Sequence, residues 1–431
     1  MKRARPRIVG IALVACVFCA WVGCTDPADE EPCVVAPGEC PNACTSGKEL
    51  EGAACDGPDD CACGFFCKAR TGVCTYYERD VRGCLCEGEP MMAPGMPVLG
   101  LGSHVIDDLQ VHIVADASDG LATPRDLAFN PESPDQLWVI NFATESVTVL
   151  HNADTDSPRS QNFHEDAGGS AHFLSHPSAF AFGAPYEMAS IHETHEHTPL
   201  TADDTPDEFM GPVLHDANLA IFKAGWSCHL DMIHNSPLGM GIAWDHERVY
   251  WVFDGYHASI ARYDFGEDHD HGGEDHSDGD TRQYVEGAVR RMAGVPSHMV
   301  LDHDTGLLYI ADTGNARLAV LDTATGTIGG NIFPEFDMAT VRRVNGAEIE
   351  TLPTETIDLE QPSGIELYEG HLWVTDNATS RIYALTLDGD VVDWLDTGLP
   401  AGSLMGITFD ALGRLHIVDA VGNQVLRISA P

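Results

Sequence analysis

Short apolar runs recur along the chain from about residue 103 onward, each with the length and composition of a β-strand. Every copy opens with a six-residue run after a turn. A second run follows, with an aromatic residue or histidine in its middle and Asp or Asn at its end. The openings are residues 124–129, 177–182, 239–244, 296–301, 362–367 and 404–409. This repetition predicts one structural unit used several times.

The distances between these landmarks are regular. From the third residue of the opening to the closing Asp or Asn, five copies span 12 to 15 residues (126→141, 241→254, 298→312, 364→376 and 406→419). In the remaining copy we expect an insertion from Glu193 to about Asp216 before a third strand over residues 219–222. Six copies of three strands, with room for a fourth, predict an all-β fold: a six-bladed β-propeller over residues 103–431.

The two ends of the repeat region predict how the ring closes. The last copy ends at Ser429, after its third strand, whereas residues 110–115 have strand character and precede the first copy. An open ring would expose an unpaired sheet edge. We therefore expect residues 110–115 to be the fourth strand of the last blade.

The N-terminus has the features of an export signal. Four basic side chains among the first seven residues precede an apolar run over residues 8–23, which is too short to span a bilayer as a helix. The run ends in Gly23-Cys24, which resembles a lipobox. We expect residues 1–23 to be removed and Cys24 to carry lipid, which predicts a membrane-anchored protein of the bacterial cell envelope. Cleavage by the ordinary signal peptidase and an uncleaved anchor are the alternatives.

Cysteine usage agrees with export. Residues 24–86 hold Cys24 and ten further cysteines, and an even set in an oxidising compartment predicts five disulfides of open connectivity. Residues 87–102 are rich in Pro, Gly and Met and are interpreted as a linker. Cys228 is left over, either as a buried thiol or, if Cys24 carries no lipid, as its disulfide partner.

Charge excludes one class of partner. The formal net charge is −44, from 67 acidic and 23 basic residues. Such a surface repels phosphate backbones, so we expect no nucleic acid as a partner. No P-loop is present, and Cys228-His229 lacks the first cysteine of a haem-attachment motif, so neither a nucleotide nor haem is expected.

Two units resemble a known repeat closely. Residues 295–302 with 310–318 (VPSHMVLD, IADTGNARL), and residues 361–365 with 374–382 (QPSGI, VTDNATSRI), are similar to NHL repeats. The resemblance covers roughly residues 109–431 and implies the propeller fold. The family includes protein-interaction propellers, lactonases and a distantly similar amidating lyase with a histidine-bound metal. The resemblance therefore does not identify a function. Residues 55–86 resemble Dickkopf-like cysteine-rich modules, which are binding or spacer units.

Histidines from different copies are candidates for a metal site. In a propeller, loops that leave second strands and loops that enter first strands share one face. We expect His229, Asp231 and His234 on the loop into blade three, His257 after the second strand of that blade, and His298 in the channel. Imidazole with a nearby carboxylate suits a divalent transition metal, zinc above all. The alternative is a set of hydrogen-bonded histidines that fill the channel.

A second cation site is possible in the acidic, histidine-rich residues 264–280, which should lie on the opposite face. Its candidate ligands are Asp268, Asp270, Asp275, Asp278 and Asp280. The spacing does not match an EF-hand, so the segment is either a calcium or low-affinity metal loop or simply solvated.

The acidic residues that end the second strands are interpreted as turn caps rather than as a ring of ligands. They are Asp254, Asp312, Asp376 and Asp419. Arg317 and Arg381, each five residues after its Asp, are expected to pair with that carboxylate.

Two functions remain open. The first is a monomeric, non-catalytic binding propeller for an envelope protein or glycan. The second is a metal-dependent lyase or hydrolase that uses the channel histidines. No Gly-x-Ser-x-Gly or His-Glu-x-x-His motif is present, and Asp126 is the nearest counterpart of the ligand Glu in gluconolactonase-type propellers.

Overall fold

The computed structural model describes residues 65–68, 73–76, 95–164, 173–194, 210–222, 229–267, 269–272, 275–333, 335, 338–354, 357 and 359–431. The predicted signal, Cys24, Cys228 and Asp268 lie outside these residues, as does most of the cysteine-rich segment. From that segment the structure gives one antiparallel pair, β1 (Phe65–Lys68) and β2 (Val73–Tyr76). No helix among the described residues is long and apolar enough to cross a membrane.

From residue 95 onward, the described chain forms a six-bladed β-propeller, which confirms the predicted fold class. The strands up to blade three are β3 (Gln110–Ala115), β4 (Pro124–Asn130), β5 (Ser133–Asn141), β6 (Ser146–His151), β7 (Arg159–His164), β8 (Pro177–Phe182), β9 (Glu187–His192), β10 (Val213–Asp216), β11 (His229–Met232), β12 (Gly241–His246), β13 (Val249–Asp254), β14 (Ser259–Asp264) and β15 (Asp280–Tyr284). Those that follow are β16 (Met299–Asp302), β17 (Leu307–Asp312), β18 (Arg317–Asp322), β19 (Thr327–Asn331), β20 (Thr340–Asn345), β21 (Glu348–Thr351), β22 (Pro362–Tyr368), β23 (His371–Asp376), β24 (Arg381–Thr386), β25 (Val391–Asp396), β26 (Leu404–Phe409), β27 (Leu415–Asp419) and β28 (Gln424–Ser429).

Each blade is an antiparallel sheet whose first strand is innermost. The blades are β4–β7, β8–β11, β12–β15, β16–β18 with β21, β22–β25, and β26–β28 with β3. Strand β3 pairs with β28 in the register Val111–Ile428, so the predicted closure of the ring is confirmed.

The core lies between the blades and follows from the period-two alternation of each second strand. In β13, Tyr250 and Val252 pack toward blade two, whereas Trp251 and Phe253 pack toward blade four. Both faces of the strand are therefore buried, which explains why these strands are almost wholly apolar.

Blade two departs from its predicted strands. Its third strand is β10, and residues 219–222 form a short helix, α1 (Leu219–Phe222). The prediction of a strand there is wrong because the preceding polar residues begin a helical turn. The side chain of Asn218 accepts a hydrogen bond from the backbone N–H of Ala220, and Asp216 accepts one from that of Asn218.

A hairpin inserted in blade four extends blade three. Strands β19 and β20 lie between β18 and β21 in the chain, yet β20 pairs in parallel with β15 at the outer edge of blade three. That sheet therefore has six strands.

The predicted linker is in part a docked segment. Leu99 is fully buried against Trp373 and Leu404, in the core between blades five and six. The Asp393 carboxylate accepts hydrogen bonds from the backbone N–H groups of Met96 and Gly102, at 2.8 and 3.2 Å. We therefore assign residues 95–102 to the propeller domain rather than to a linker.

Candidate functional site

A cavity of about 380 Å³ lies in the central channel and is lined by the innermost strands of all six blades. Representative lining residues, one from each blade, are Asp126, Phe182, Trp244, His298, Glu366 and Phe409. Its volume lies within the range of small-molecule binding sites.

The opening runs of the repeat explain the shape of this cavity. Their fifth position holds alanine in the first three blades, at Ala128, Ala181 and Ala243, which leaves space along the channel wall. Their sixth position holds an aromatic residue in four blades, and these side chains line one end of the cavity. That end also includes Pro131 and His303, which lie in turns between first and second strands. The cavity therefore reaches the face of the propeller that carries those turns.

Asp126 and His298 form a buried pair across the channel. Their Oδ1 and Nδ1 atoms are 3.6 Å apart. The Asp126 carboxylate also accepts the backbone N–H groups of Leu127 and Phe180, at 2.9 and 3.0 Å. Burial raises the pKa of Asp126, while the neighbouring imidazole of His298 and these backbone donors oppose the rise.

Hydrogen bonding defines which nitrogen of His298 carries a proton. Its Nε2 lies 3.3 Å from the carbonyl oxygen of Ser178, which can only accept, so Nε2 is protonated. The pair therefore places an imidazole and a carboxylate, both hydrogen-bonding groups, at the wall of the cavity.

Glu366 adds a second carboxyl group to the cavity. Burial raises the pKa of Glu366 to about 8, and the nearby charge of Asp126 adds to the rise. Its Oε1 accepts a hydrogen bond of 3.2 Å from the backbone N–H of Leu367. At neutral pH this carboxyl group is mostly protonated and can donate a hydrogen bond to a ligand oxygen.

Sequence reasoning overlooked Glu366, although the repeat contains a signal for it. It occupies the fifth position of the opening, where the other blades have alanine, valine or threonine. An acidic side chain on an innermost strand at a position that is otherwise small or neutral indicates a functional rather than a packing role.

The opposite face carries a buried ion-pair network. The Glu193 carboxylate pairs with Arg125 at 2.7 Å and with Arg291 at 2.9 Å, and it accepts the backbone N–H of Gly294. The Arg125 guanidinium also lies 3.5 Å from the ring centroid of Phe142. These contacts join blades one and two to the connection between blades three and four.

The Pro-Ser pair that recurs at three of the openings has a structural explanation. The hydroxyl groups of Ser178 and Ser363 donate to backbone carbonyls of neighbouring blades, Gly239 at 2.7 Å and Pro296 at 2.9 Å. These hydrogen bonds link adjacent blades around the channel.

The predicted metal ligands do not converge. His298 lines the channel cavity as expected. His229 and Asp231 lie on β11, the outermost strand of blade two, and not on the loop into blade three. There Asp231 pairs with His276. His257 lines a different cavity, beside Asp254.

His234 does not line the channel cavity, and its backbone lies near Asp254, the carboxylate that pairs with His257. Its backbone carbonyl accepts a hydrogen bond from Tyr263, and the same hydroxyl bonds to Ser236, which donates to Asp254. Among the residues the structure describes, no group of three or more His, Cys, Asp or Glu is arranged to hold a metal ion. The single histidine site expected from the sequence does not fit this arrangement.

The predicted second cation loop is also dispersed. Asp280 pairs with Arg282 and Arg342, whereas Asp278 pairs with His269 at 2.9 Å. Asp275 accepts the backbone N–H of Ser277, which is a turn contact. Asp270 lies in the same loop, at a positive φ of 64°.

Three of the four predicted turn caps are observed, whereas Asp312 makes no side-chain hydrogen bond to the backbone of its own turn and instead accepts the backbone N–H of Arg290 at 2.8 Å. Asp254, Asp376 and Asp419 each accept backbone N–H groups of the following turn, and Arg317 pairs with Asp312 at 2.8 Å. Arg381, however, pairs with Asp396 at 3.8 Å and lies over Trp394, because backbone donors surround the Asp376 carboxylate.

Comparisons with known proteins add structural likeness only. No protein-family model matches this sequence, and no curated protein is similar to it. An auxiliary nutrient binding protein from Bacteroides thetaiotaomicron is 10% identical over 72% of this chain and 69% of its own, with a TM-score of 0.47. Virginiamycin B lyase from Staphylococcus aureus is 13% identical over 74% of this chain and 85% of its own, with a TM-score of 0.44. A luciferin-regenerating enzyme is 13% identical over 74% of this chain and 95% of its own, with a TM-score of 0.45. Identities and superpositions at this level do not transfer a function.

Proposed function

We propose that this chain is an exported, lipid-anchored envelope protein whose propeller binds the end of a glycan in its central channel. The observation that carries the proposal is the channel cavity, in which aromatic side chains and hydrogen-bonding groups from separate blades face one space. Binding sites of this kind combine an apolar wall with a few placed polar groups.

The chemistry of the lining favours a neutral sugar. The partly buried aromatic rings of Phe129, Phe182 and Trp244 offer apolar faces against which a sugar ring can pack. Glu366 and the Asp126–His298 pair offer hydrogen-bond donors and acceptors for hydroxyl groups. The net charge of −44 disfavours an anionic ligand.

Binding of a panel of neutral and acidic oligosaccharides to the purified full chain tests this proposal, with tryptophan fluorescence and calorimetry as readouts. We expect a neutral oligosaccharide to bind and Trp244→Ala to weaken it about tenfold or more, the equivalent of about 1.4 kcal/mol. Tyr256→Ala is the matched control, because this exposed aromatic residue lies on the opposite face.

Two results would overturn the proposal. One is that no oligosaccharide binds, for example because the chain captures only a protein partner. The other is that a bound sugar is equally sensitive to Tyr256→Ala and insensitive to Trp244→Ala, which would place its site outside the channel.

The anchor has its own test. We expect labelled palmitate to be incorporated into the wild-type chain in a bacterial host and the protein to sediment with membranes. A Cys24→Ala variant should lose both properties. Labelling that persists in this variant would show that the lipid, if present, is attached elsewhere.

A further inference from the structure

A second, smaller cavity lies away from the channel, between blade three and the inserted β19–β20 hairpin. Its volume is about 50 Å³. Asn235, Thr281 and His257 contribute polar groups to its lining, and Ile332 and Val341 contribute apolar ones. It is independent of the channel because the two cavities share no lining residue.

Two buried polar atoms at this cavity lack a partner within the described part of the chain. Thr281 is only 2% exposed, and no described residue hydrogen-bonds to its Oγ1. The Nδ2 of Asn235 is likewise buried without a described partner. A buried hydroxyl or amide that makes no hydrogen bond is costly, so a group that completes these bonds would bind favourably here.

His257 is held in one orientation beside these two atoms. Its Nδ1 lies 2.7 Å from Asp254 Oδ2, and the Asp254 side chain is 1% exposed. Ser236 and the backbone N–H groups of Tyr256 and His257 also donate to this carboxylate. The imidazole is therefore preorganised at the cavity wall.

The lining defines the class of ligand. Asn235 Nδ2 and Thr281 Oγ1 both can donate, so they match a carbonyl oxygen and oppose a cation. The buried Asp254 carboxylate and the acidic surface oppose an anion. The side chains of Ala261, Ile332 and Val341 match a small apolar group.

We propose that this cavity binds an acetamido group, as carried by an N-acetylated sugar. Its carbonyl oxygen accepts from Asn235 and Thr281, and its methyl group packs against Ile332 and Val341. Phe333, which is 72% exposed at the edge of the cavity, covers the part of the ligand that projects outward.

Ligand-observed NMR titration of the full chain with N-acetylglucosamine, with glucose as the matched sugar, tests the proposal. We expect saturable binding of the N-acetylated sugar alone. Thr281→Val keeps the shape and removes the hydroxyl, and should weaken binding about tenfold. Thr327→Val, at an exposed position of β19, is the control and should change nothing.

A second variant separates a loss of binding from a loss of folding. Asn235 has a φ of +88°, which glycine adopts without strain, so Asn235→Gly removes the amide and keeps the backbone. It too should weaken binding, with an unchanged denaturation midpoint.

The proposal is overturned if N-acetylglucosamine does not bind in the millimolar range, or if a crystal soaked with it shows only a water molecule on Thr281. It is also overturned if binding is lost in Trp244→Ala and retained in Thr281→Val. That result would leave channel binding intact, so the two proposals can fail separately.

Discussion

Replacement of Leu99 by alanine tests whether residues 95–102 are part of the propeller core. Leu99 is fully buried, between blades five and six. The truncation removes about three carbon groups, each worth ~0.8 kcal/mol of transfer free energy, or about 2.4 kcal/mol together. The cavity that remains adds to this, so we expect the free energy of unfolding to fall by about 3–4 kcal/mol.

Equilibrium denaturation in urea, followed by circular dichroism, measures this loss. Leu101→Ala is the matched control, because Leu101 lies two residues further along the same segment and is 40% exposed. We expect a change within about 0.5 kcal/mol for that variant. Equal and small effects of the two substitutions would show that the segment is a detached linker and would refute our assignment of the domain boundary.

Two further predictions concern buried charge. The carboxyl group of Glu366 titrates near its ordinary pKa of 4.5 in the unfolded chain and near 8 in the folded chain, so the folded state binds the proton more tightly and stability falls as pH rises between these values. Glu366→Gln should flatten that decline in denaturation curves measured across this pH range, and an unaltered slope would contradict the assignment. Glu193→Gln leaves the buried guanidinium of Arg125 without its carboxylate and should cost about 3–5 kcal/mol in the same assay. Glu286→Gln, which breaks an exposed pair, should cost no more than about 1 kcal/mol, and equal losses would argue against the network.

The propeller could be predicted because every blade repeats the same burial pattern. Second strands such as β13 are buried on both faces, and this leaves a nearly continuous apolar run in the sequence. The closing strand was predictable too. The last repeat lacks a fourth strand, and an isolated strand precedes the first repeat, so pairing the two removes an exposed sheet edge.

Elements held by tertiary contacts could not be predicted. The apolar run at residues 219–222 reads equally well as strand or helix, and the polar residues before it decide the outcome. The docked segment around Leu99 has no periodic pattern, because only a few of its side chains face the core. The β19–β20 hairpin joins a blade other than its own, which no local pattern encodes.

The site was predictable only in part, for a related reason. His298 could be placed in the channel because it belongs to the opening of its repeat and directly precedes the innermost strand β16. His229 and Asp231 were assigned to a loop, whereas they form a short irregular fourth strand with a register shift at His215. Fourth strands vary most between copies, so the repeat gives little information about them.

The pairing of β3 with β28 has a consequence for biogenesis. Ala115 pairs with Val425 across these two strands. The first propeller strand to be synthesised therefore cannot form its interstrand hydrogen bonds until nearly the last strand is available. Contacts between such distant positions form slowly. The ring therefore stays open, with the edge strands of its first and last blades unpaired, until almost the whole polypeptide has been synthesised.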